Sequence, residues 1–517
     1  MSDGVGRREL VVVLDFGAQY AQLIVRRVRE QRVYCELWPH TTSPAELRHA
    51  APKAIILSGG PASVYEPGAP SVPRELLELG IPVLGICYGQ QLIAHLLGGR
   101  VGPGDAREYG RVALHVLDGA DDTLLAGVPR ETTCWMSHGD KVVALPEGFR
   151  SLARTEHSEV AAMGSAARRL YGVQFHPEVH HTPDGAAILH NFLYAAAGCS
   201  GDWEPGSFIA EATARLQSEV GESRVLCALS GGVDSAVVAL LLLQAVPGQV
   251  TCMFIDHGLL RKDEAAEVVG ALRPILGDAL VPVDASAMFL ERLAGVTDPQ
   301  VKRKIIGETF IRVLEAESAK LGDFAFVAHG TLYPDVVESG GGANEAIKYH
   351  HNVAGLPSDM RFRNLEPLRM LFKDEVRQLG AELGLPEAIR LRQPFPGPGL
   401  AVRIVGEVTP EKLTIVREAD AILHDELTHA GVAPQLAQYY AALPTIRSVG
   451  VMGDGRTYAY PVVIRAVTTE DFMTADWARL PHELLARIAG RIVSEVRGVN
   501  RVLYDITSKP PATIEWE

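Results

Sequence analysis

The sequence of 517 residues lacks the features of secreted and membrane-spanning proteins and of cysteine-rich metal sites. Its longest apolar run, Ala236 to Leu243, is far shorter than the roughly 18 residues needed to cross a bilayer. No signal-peptide pattern precedes the first predicted strand, VVVLDF. The 6 cysteines are scattered without the paired spacing of a zinc site. We therefore predict a reduced, cytoplasmic protein with no membrane partner.

Basic charge is also scarce, because 49 Lys and Arg oppose 63 Asp and Glu and leave a net charge of −14. A general attraction to nucleic acid is not expected, so anionic substrates must be bound by local clusters of donors. At about 100 to 200 residues per domain, this length predicts three domains. We place them at residues 8–200, 201–400 and 401–517.

A glycine-rich segment near the middle of the chain lacks the lysine of a Walker A loop. The string RVLCALSGGVDSAVVALLLLQAV predicts a buried strand, a tight turn and a helix N-terminus. Adjacent glycines let backbone N–H groups face a ligand, and the helix N-terminus favours an anion. A purely structural glycine turn is the alternative, but the whole SGGVDS string favours phosphate binding. The predicted phosphate site consists of Ser230, Gly231, Gly232, Val233, Asp234, Ser235 and Ala236.

The first segment alternates short apolar strands with amphipathic helices. In order they are VVVLDF, AQLIVRRVRE, KAIILSGGP and IPVLGICYGQQLIAHLLG. This order predicts an α/β fold with a mainly parallel sheet, in which binding sites lie at the C-terminal edge of the strands.

Cys87 lies at the predicted turn between the strand IPVLGI and a helix. Such a turn exposes a nucleophile above the sheet, and a helix N-terminus favours the thiolate. A lone cysteine is more often a buried structural residue. His176 and Glu178, however, share one face of the segment YGVQFHPE, so a base and an orienting carboxylate are available. The set predicts acyl transfer through a thiol.

A second strand end, SGGP, offers backbone N–H groups of Gly59 and Gly60 to an oxyanion, together with that of Tyr88. The motifs SGGP, GICYGQQ and QFHPE resemble the class I glutamine amidotransferases, which release ammonia from glutamine through a thioester. This resemblance implies that the cysteine, histidine and glutamate above form the triad. It also implies that Gln91 and Ser137 line the glutamine pocket.

The SGGVDS string resembles the pyrophosphate loop of N-type ATP pyrophosphatases, in which Asp234 would help to place Mg2+ and ATP is a substrate. Asp256 ends the predicted strand TCMFID, where it could contact the nucleotide or cap a turn. Lys302, Arg303 and Lys304 lie on a predicted helix, either as a solvated face or as phosphate contacts.

Residues 329–352 contain a triple glycine and several phosphate donors. We interpret this connection as a lid over ATP, with a surface loop as the alternative. We also hypothesise that ATP and the acceptor that it activates order the lid and so activate the glutaminase, which a glutaminase rate independent of both would contradict. The predicted lid residues are Asp335 and Glu338, near magnesium, and Lys348, His350 and His351, near the reacting phosphate.

The last part of the chain predicts a smaller α+β domain with the antiparallel strands RSVGVM and RTYAYPVVIRAV. Together with PFPGPGLA and the tail SKPPATIEWE, the full set of motifs resembles the glutamine-hydrolysing GMP synthase family. This resemblance implies amination of XMP through an adenylated intermediate, and a homodimer. It implies that XMP contacts Arg261, Arg403, Lys509 and Glu515, while Met452 lies where relatives can carry a polar substrate contact.

Two other functions remain open from the sequence. One is a different amide-transferring ATP pyrophosphatase that acts on a carboxylate, and the other is a nucleotide-binding regulator without catalysis. The second would predict a broken triad or loop, and both are intact. A tRNA-thiolating enzyme would need a basic surface and paired cysteines, which the sequence lacks.

Overall fold

The computed structural model describes residues 9–18, 20–119, 124–333, 362–452, 455–469 and 474–517. The chain forms two compact units, Met1–Glu204 and Pro205–Glu517. Their boundary falls within the segment GCSGDWEPG. Across the described part of the chain, no helix is both long and apolar enough to span a bilayer.

The first unit is organised around a nine-stranded sheet. Its strands are β1 (Leu10–Asp15), β2 (Tyr34–Pro39), β3 (Ala54–Leu57), β4 (Val83–Ile86), β5 (Arg100–Val116), β6 (Glu131–Ala144), β7 (Arg150–Arg154), β8 (Ala162–Ser165) and β9 (Leu170–Val173). Its helices are α1 (Ala21–Glu30), α2 (Pro44–Ala50), α3 (Tyr88–Leu96) and α4 (Gly185–His190). A π-helical turn at Asn191–Ala196 continues α4, and 3-10 turns lie at Arg74–Glu78, before β4, and at Ala166–Arg168, before β9. The strand order is β2-β1-β3-β4-β9-β8-β7-β5-β6.

Parallel pairing in this sheet gathers the predicted glutaminase residues at one edge. β3, β4 and β9 are buried along their whole length, which explains their nearly continuous apolar sequences. β3 pairs in parallel with β4, and β4 pairs in parallel with β9. The segments that follow these three strands therefore meet at their C-terminal ends.

The second unit begins with a five-stranded parallel sheet. Its strands are β10 (Val225–Leu229), β11 (Val250–Asp256), β12 (Leu280–Asp284), β13 (Phe326–Ala328) and β14 (Arg363–Leu365), in the order β12-β11-β10-β13-β14. The helices around it are α5 (Pro205–Val220), α6 (Val233–Ala245), α7 (Glu264–Leu276), α8 (Ser286–Leu293), α9 (Pro299–Leu321), α10 (Lys373–Glu382) and α11 (Glu387–Arg390). The central strand β10 leads directly into the SGGVDS turn.

A second sheet completes this unit. It contains β15 (Gln438–Ala442), β16 (Ser448–Met452), β17 (Gly455–Thr468), β18 (Asp476–Trp477) and β19 (Val499–Tyr504), with helices α12 (Pro410–His429) and α13 (His482–Glu495). β16 and β17 are antiparallel, as predicted, whereas β19 pairs in parallel with β17. One apolar cluster includes residues of both sheets, such as Leu226, Met253 and Ile464. The boundary at residue 400 stays a prediction.

The observed architecture confirms the predicted α/β class and has an α+β region at the end of the chain. The sheet of the first unit is mixed: β2, β1, β3, β4 and β9 pair in parallel, whereas the pairs from β9 through β8, β7 and β5 to β6 are antiparallel, so the predicted mainly parallel sheet holds only for the first part. The predicted helix around Lys302 is also confirmed as part of α9.

Candidate active site

Cys87 occupies a sharp turn between β4 and α3. Its backbone has φ 52° and ψ −104°, a conformation that is strained for a residue with a side chain. Small neighbours make the turn possible, since a Cβ on Gly85 would lie 2.4 Å from the carbonyl carbon and oxygen of Gly89. A Cβ on Gly89 would lie 2.4 Å from the Leu57 carbonyl oxygen. The strand and helix can therefore approach only because these positions are glycine.

His176 and Glu178 form a buried pair on the segment after β9. The His176 Nδ1 atom donates to the Glu178 Oε1 atom at 2.7 Å. The hydroxyl of Thr182 donates to the His176 carbonyl at 2.7 Å and fixes the backbone there. Burial alone would lower the pKa of His176, but the charge of Glu178 and hydrogen bonds to Cys87 and Glu178 raise this pKa well above its ordinary value. The imidazole is therefore suited to hold the proton of the thiol.

The glycines of the SGGP turn lie against the nucleophile. A Cβ on Gly59 would be 3.4 Å from the His176 Cε1 atom and 3.7 Å from the Cys87 Cβ atom. A Cβ on Gly60 would be 3.3 Å from the Tyr88 ring. The structure thus brings together the three residues predicted to serve the oxyanion, and that role stays a prediction.

Two residues predicted to line the glutamine pocket also lie near Cys87. The Gln91 N–H donates to the Cys87 carbonyl at 3.2 Å, and the Gln91 side-chain amide donates to the Asp140 carbonyl at 2.8 Å. The Ser137 carbonyl oxygen is 3.9 Å from the Cys87 sulfur atom. Both residues are therefore close to the nucleophile, while their contact with glutamine stays a prediction.

Gln174 is a site residue that the sequence interpretation missed. Its amide nitrogen lies 3.6 Å from the Cys87 sulfur atom, and its amide oxygen accepts from Gln91 at 3.2 Å. The side chain is fully buried. Strand alternation does not explain this placement, because β9 ends at Val173 and residues 174–178 contain a bend and a turn. The prediction that the strand runs on to Glu178 is therefore wrong, although His176 and Glu178 lie together as predicted.

The SGGVDS turn has the internal hydrogen bonds of a preformed loop. The Ser235 hydroxyl accepts from the Ser230 N–H at 3.1 Å, and it donates to the Gly232 carbonyl at 3.1 Å. Gly231 has φ 80°, and a Cβ there would lie 2.8 Å from a methyl carbon of Val268. Helix α6 starts at Val233 and its Ala236 N–H donates back to Gly232 at 3.2 Å. These hydrogen bonds therefore fix the conformation of the turn at the N-terminus of a 13-residue helix, where an anion is favoured.

Asp234 lies in the first turn of α6 and has one paired and one unpaired oxygen. Its Oδ2 atom accepts from the Lys373 ammonium at 2.5 Å. Its Oδ1 atom is buried and has no hydrogen-bond partner among the described residues. Lys373 was not singled out from the sequence, since nothing in the string FKDEV indicates that helix α10 begins beside this loop.

The other residues predicted to contact the nucleotide form hydrogen bonds within the protein. Asp256 accepts from the Gly258 N–H at 2.8 Å, which is the turn-capping alternative, and its contact with the nucleotide stays a prediction. Lys302 is fully buried and donates to the Ala401 and Ile404 carbonyls at 3.1 and 2.7 Å. It also donates to the Glu517 carboxylate at 2.5 Å. Its ammonium group therefore faces protein oxygens and not solvent.

Arg261 is nearly buried and incompletely paired. Its guanidinium is 3.6 Å from Asp420 and lies over the Phe395 ring at 4.6 Å. Its Nε and Nη2 atoms are buried and have no hydrogen-bond partner among the described residues. A buried cation with unused donors is expected to face an anion or a polar ligand.

Arg403 and Glu515 form a contact between the segment after the PFPGPGLA motif and the C-terminal tail. Arg403 is fully buried and contacts both carboxylate oxygens of Glu515, at 3.2 and 3.3 Å. The Gln438 amide donates to the same carboxylate at 2.5 Å. Lys509 pairs through its backbone with Ala475. Their contacts with XMP stay predictions.

The predicted lid residues Asp335, Glu338, Lys348, His350 and His351 lie outside the described residues. Only the backbone of Met452 is described, at the end of β16, where it pairs with Gly455. The role of the Met452 side chain therefore stays open.

Two family models match the chain. Glutamine amidotransferase class-I matches residues 12–196, and the GMP synthase C terminal domain matches residues 425–516. A crystal structure of a glutamine amidotransferase from Thermotoga maritima covers 37% of this chain and 99% of its own, with 18% identity and a TM-score of 0.31.

Proteins named glutamine-hydrolyzing GMP synthase are similar along nearly the whole chain. The one from Heliobacterium modesticaldum is 57% identical over 510 residues, covering 98% of this chain and 99% of its own. The one from Symbiobacterium thermophilum is 59% identical over 511 residues, covering 99% of both chains. The one from Carboxydothermus hydrogenoformans is 58% identical over 507 residues, covering 98% of this chain and 99% of its own.

Proposed function

This chain belongs to the family of glutamine-hydrolyzing GMP synthases, and on that premise we propose how its residues carry out the reaction. It is a ligase that aminates XMP to GMP, with ATP as a substrate and glutamine as the nitrogen donor. The observation that carries the proposal is the presence, in one chain, of a Cys87 nucleophile with its His176 partner and of a preformed SGGVDS turn. The first supplies ammonia, and the second binds the pyrophosphate part of ATP.

We propose that the first unit hydrolyses glutamine through a thioester. The Cys87 sulfur attacks the side-chain amide carbon while His176 holds the thiol proton, and Glu178 keeps the imidazole oriented and charged. The oxyanion is stabilised by the N–H groups of the SGGP turn and of Tyr88; the proximity of Gly59 to the Cys87 side chain and of Gly60 to the Tyr88 ring supports this assignment. His176 returns the proton to the leaving ammonia, and water then cleaves the thioester to glutamate.

The second unit is proposed to activate the purine. The C2 oxygen of XMP attacks the α-phosphorus of ATP, and pyrophosphate leaves into the SGGVDS turn, where backbone N–H groups and the α6 N-terminus stabilise its charge. Ammonia then attacks C2, the bond to the adenylate oxygen breaks, and AMP leaves. This sequence accounts for glutamate, AMP, pyrophosphate and GMP as products.

Magnesium is proposed as the metal of this step, with Asp234 as its protein ligand. The free, buried Oδ1 atom of Asp234 fits this role, because Mg2+ is typically held by one or two carboxylates together with phosphates and water. Among the described residues no cluster of three or more His, Cys, Asp or Glu could hold a metal without such help. When bound, the metal would neutralise phosphate charge.

The proposed reaction is tested by following all products from purified protein. With XMP, ATP and glutamine we expect GMP, AMP, pyrophosphate and glutamate in equal amounts. Replacing XMP by a panel of carboxylate acceptors should stop turnover. Release of ADP and orthophosphate, or amination of a carboxylate, would show that the chain performs a different reaction.

Arg261 is proposed to bind XMP, because two of its buried nitrogen atoms have no hydrogen-bond partner among the described residues, although Nε lies 3.6 Å from Asp420. Replacing Arg261 with methionine should raise the KM for XMP by about tenfold to a hundredfold, since charged hydrogen bonds are worth about 1.5 to 3 kcal/mol. The matched control is Lys262→Met, which breaks only an exposed ion pair with Glu418. Steady-state kinetics with XMP varied measures both. Equal effects at the two positions would contradict the assignment.

We propose that the chain forms a homodimer through the outer face of β16 and β17. Val449 and Val451 are exposed on this face, Val451 to 77%, and Tyr458 lies directly opposite Val449. Such an apolar patch is expected to be covered by a partner. Val451→Lys should shift sedimentation from dimer to monomer, whereas Leu391→Lys, at another exposed apolar position, should not. A monomeric wild type would refute this proposal.

The cytoplasm is the proposed location. All six cysteines, including Cys87, are free and buried, which fits a reducing compartment. Proximity labelling from a cytoplasmic and an extracytoplasmic enzyme would test this assignment.

A further inference from the structure

A second histidine–glutamate pair lies buried in the first unit, outside the catalytic triad. His138 on β6 and Glu108 on β5 are directly paired across the two strands, next to an irregularity in the ladder. The His138 Nε2 atom is 3.2 Å from the Glu108 Oε2 atom, and the two side chains are only 4% and 2% exposed. A buried pair of titratable groups needs a reason, because burial of such groups is costly.

Hydrogen-bond geometry fixes the number of protons that this pair holds. The His138 Nδ1 atom is 2.9 Å from the Asp140 carbonyl, which can only accept, so Nδ1 must carry a hydrogen. The Nε2 atom faces the Glu108 carboxyl group, so one further proton must lie between them, on the ring or on the carboxyl group. The Thr155 hydroxyl donates to the other Glu108 oxygen at 2.8 Å. Every buried polar atom of the pair is thereby satisfied.

A continuous series of contacts connects this pair to the nucleophile. The Asp140 carbonyl that accepts from His138 also accepts from Gln91 at 2.8 Å. Gln91 donates in turn to Gln174 at 3.2 Å, and the Gln174 amide lies 3.6 Å from the Cys87 sulfur atom. These groups are held by hydrogen bonds that a shift of the Asp140 carbonyl would lengthen.

His138 is also adjacent in the chain to a residue that lies at the nucleophile. Its neighbour Ser137 places a carbonyl oxygen 3.9 Å from the Cys87 sulfur atom. The strand that carries Ser137 and Asp140 is therefore held at the nucleophile by the pair behind it.

We propose that His138 and Glu108 are positioning residues for glutamine hydrolysis, which hold the Ser137–Asp140 segment, and through it Gln91 and Gln174, at the distance from Cys87 that glutamine binding requires. The proposal rests on the proposed function of this site. It assigns to the pair no contact with glutamine and no part in the synthetase reaction.

The substitution Glu108→Gln tests whether the role of Glu108 depends on its hydrogen bonds or on its negative charge. In Glu108→Gln an amide N–H can donate to the bare Nε2 atom while the amide oxygen still accepts from Thr155, so all contacts are kept without the extra proton. In Glu108→Leu the Nε2 atom has no donor, and the ring and the Asp140 carbonyl lose their fixed position.

The experiment uses the full chain and compares glutamine with ammonium as the nitrogen source. For Glu108→Leu we expect the KM for glutamine to rise by about tenfold, equivalent to about 1.4 kcal/mol, with unchanged kinetics on ammonium. Glu108→Gln should stay within about threefold of wild type on both sources. The matched control is Glu131→Leu, which removes an exposed glutamate that pairs with His115 across the same two strands, 3.6 Å away. It should change neither activity.

Three results would overturn the proposal. They are wild-type glutamine kinetics in Glu108→Leu, equal impairment of glutamine use in Glu108→Gln and Glu108→Leu, and an equal effect of Glu131→Leu. If Glu108→Leu fails to fold, the test uses His138→Asn and His138→Ala, because only asparagine keeps a donor to the Asp140 carbonyl. Equal KM values for glutamine in these two variants would then refute the positioning role. Absence of glutamine-dependent turnover in the wild type would instead refute the proposed function.

Discussion

Replacing Cys87 with alanine is expected to abolish GMP formation from glutamine while leaving formation from added ammonium intact. Only the thiol can form the thioester. The turn between β4 and α3 is a backbone conformation that does not depend on the sulfur atom, so we expect alanine to keep the local fold. Loss of a nucleophile of this kind typically costs about 10⁴-fold or more in kcat. Parallel GMP assays with the two nitrogen sources measure the separation directly.

The matched control for this variant is Cys134→Ala. Cys134 is fully buried on β6, and its burial raises the pKa of its thiol to about 12, so no thiolate forms there at neutral pH. This control should retain both activities. Loss of the ammonium-dependent reaction in Cys87→Ala would contradict a division of the chemistry between two sites.

Asp234→Asn is expected to impair both nitrogen sources equally. The substitution keeps the shape of the side chain but removes the charge that pairs with Lys373 and that would attract a metal through the free Oδ1 atom. We expect kcat to fall about tenfold to a hundredfold, as for loss of a charge-assisted contact. Pyrophosphate release with saturating XMP, at several magnesium concentrations, is the appropriate measurement.

Asp284→Asn provides the comparison in the same unit. Asp284 is exposed at the end of β12, where it accepts from the Ser286 N–H at 3.0 Å. In the sheet, β11 separates β12 from β10, the strand that leads into the SGGVDS turn. It should behave as wild type with both nitrogen sources. An Asp234→Asn protein that is defective with glutamine but normal with ammonium would show that Asp234 does not serve the adenylation step.

The sequence was informative wherever function depends on neighbours in the chain. The strand-to-helix turn at Cys87 and the glycine turn before α6 are local structures, so their motifs predict both the backbone and the chemistry. His176 and Glu178 are only two residues apart, so the sequence predicts their pairing correctly, although they lie in the turn after β9 and not in the strand that the pattern predicts.

Contacts between distant segments were beyond sequence reasoning. Lys373 meets Asp234 across 139 positions, and Arg403 meets Glu515 across 112. Each depends on how sheets and helices pack, and no local pattern encodes such a meeting. The same limit applies to Lys302. The sequence predicted either a solvated helix face or a phosphate contact for this residue, and neither prediction included its complete burial.

The burial of Lys302 has a consequence for how substrate affinity can change. Burial lowers the pKa of its ammonium, and the bond to Glu517 opposes that effect, so the acidic residue acts as a counter-ion inside the protein. Glu515 lies two residues before Glu517 in the chain and is one of the residues predicted to contact XMP. A substitution on helix α9 that disturbs the Lys302–Glu517 bond is therefore expected to change the affinity for XMP by moving Glu515, without replacing any residue that is predicted to contact XMP.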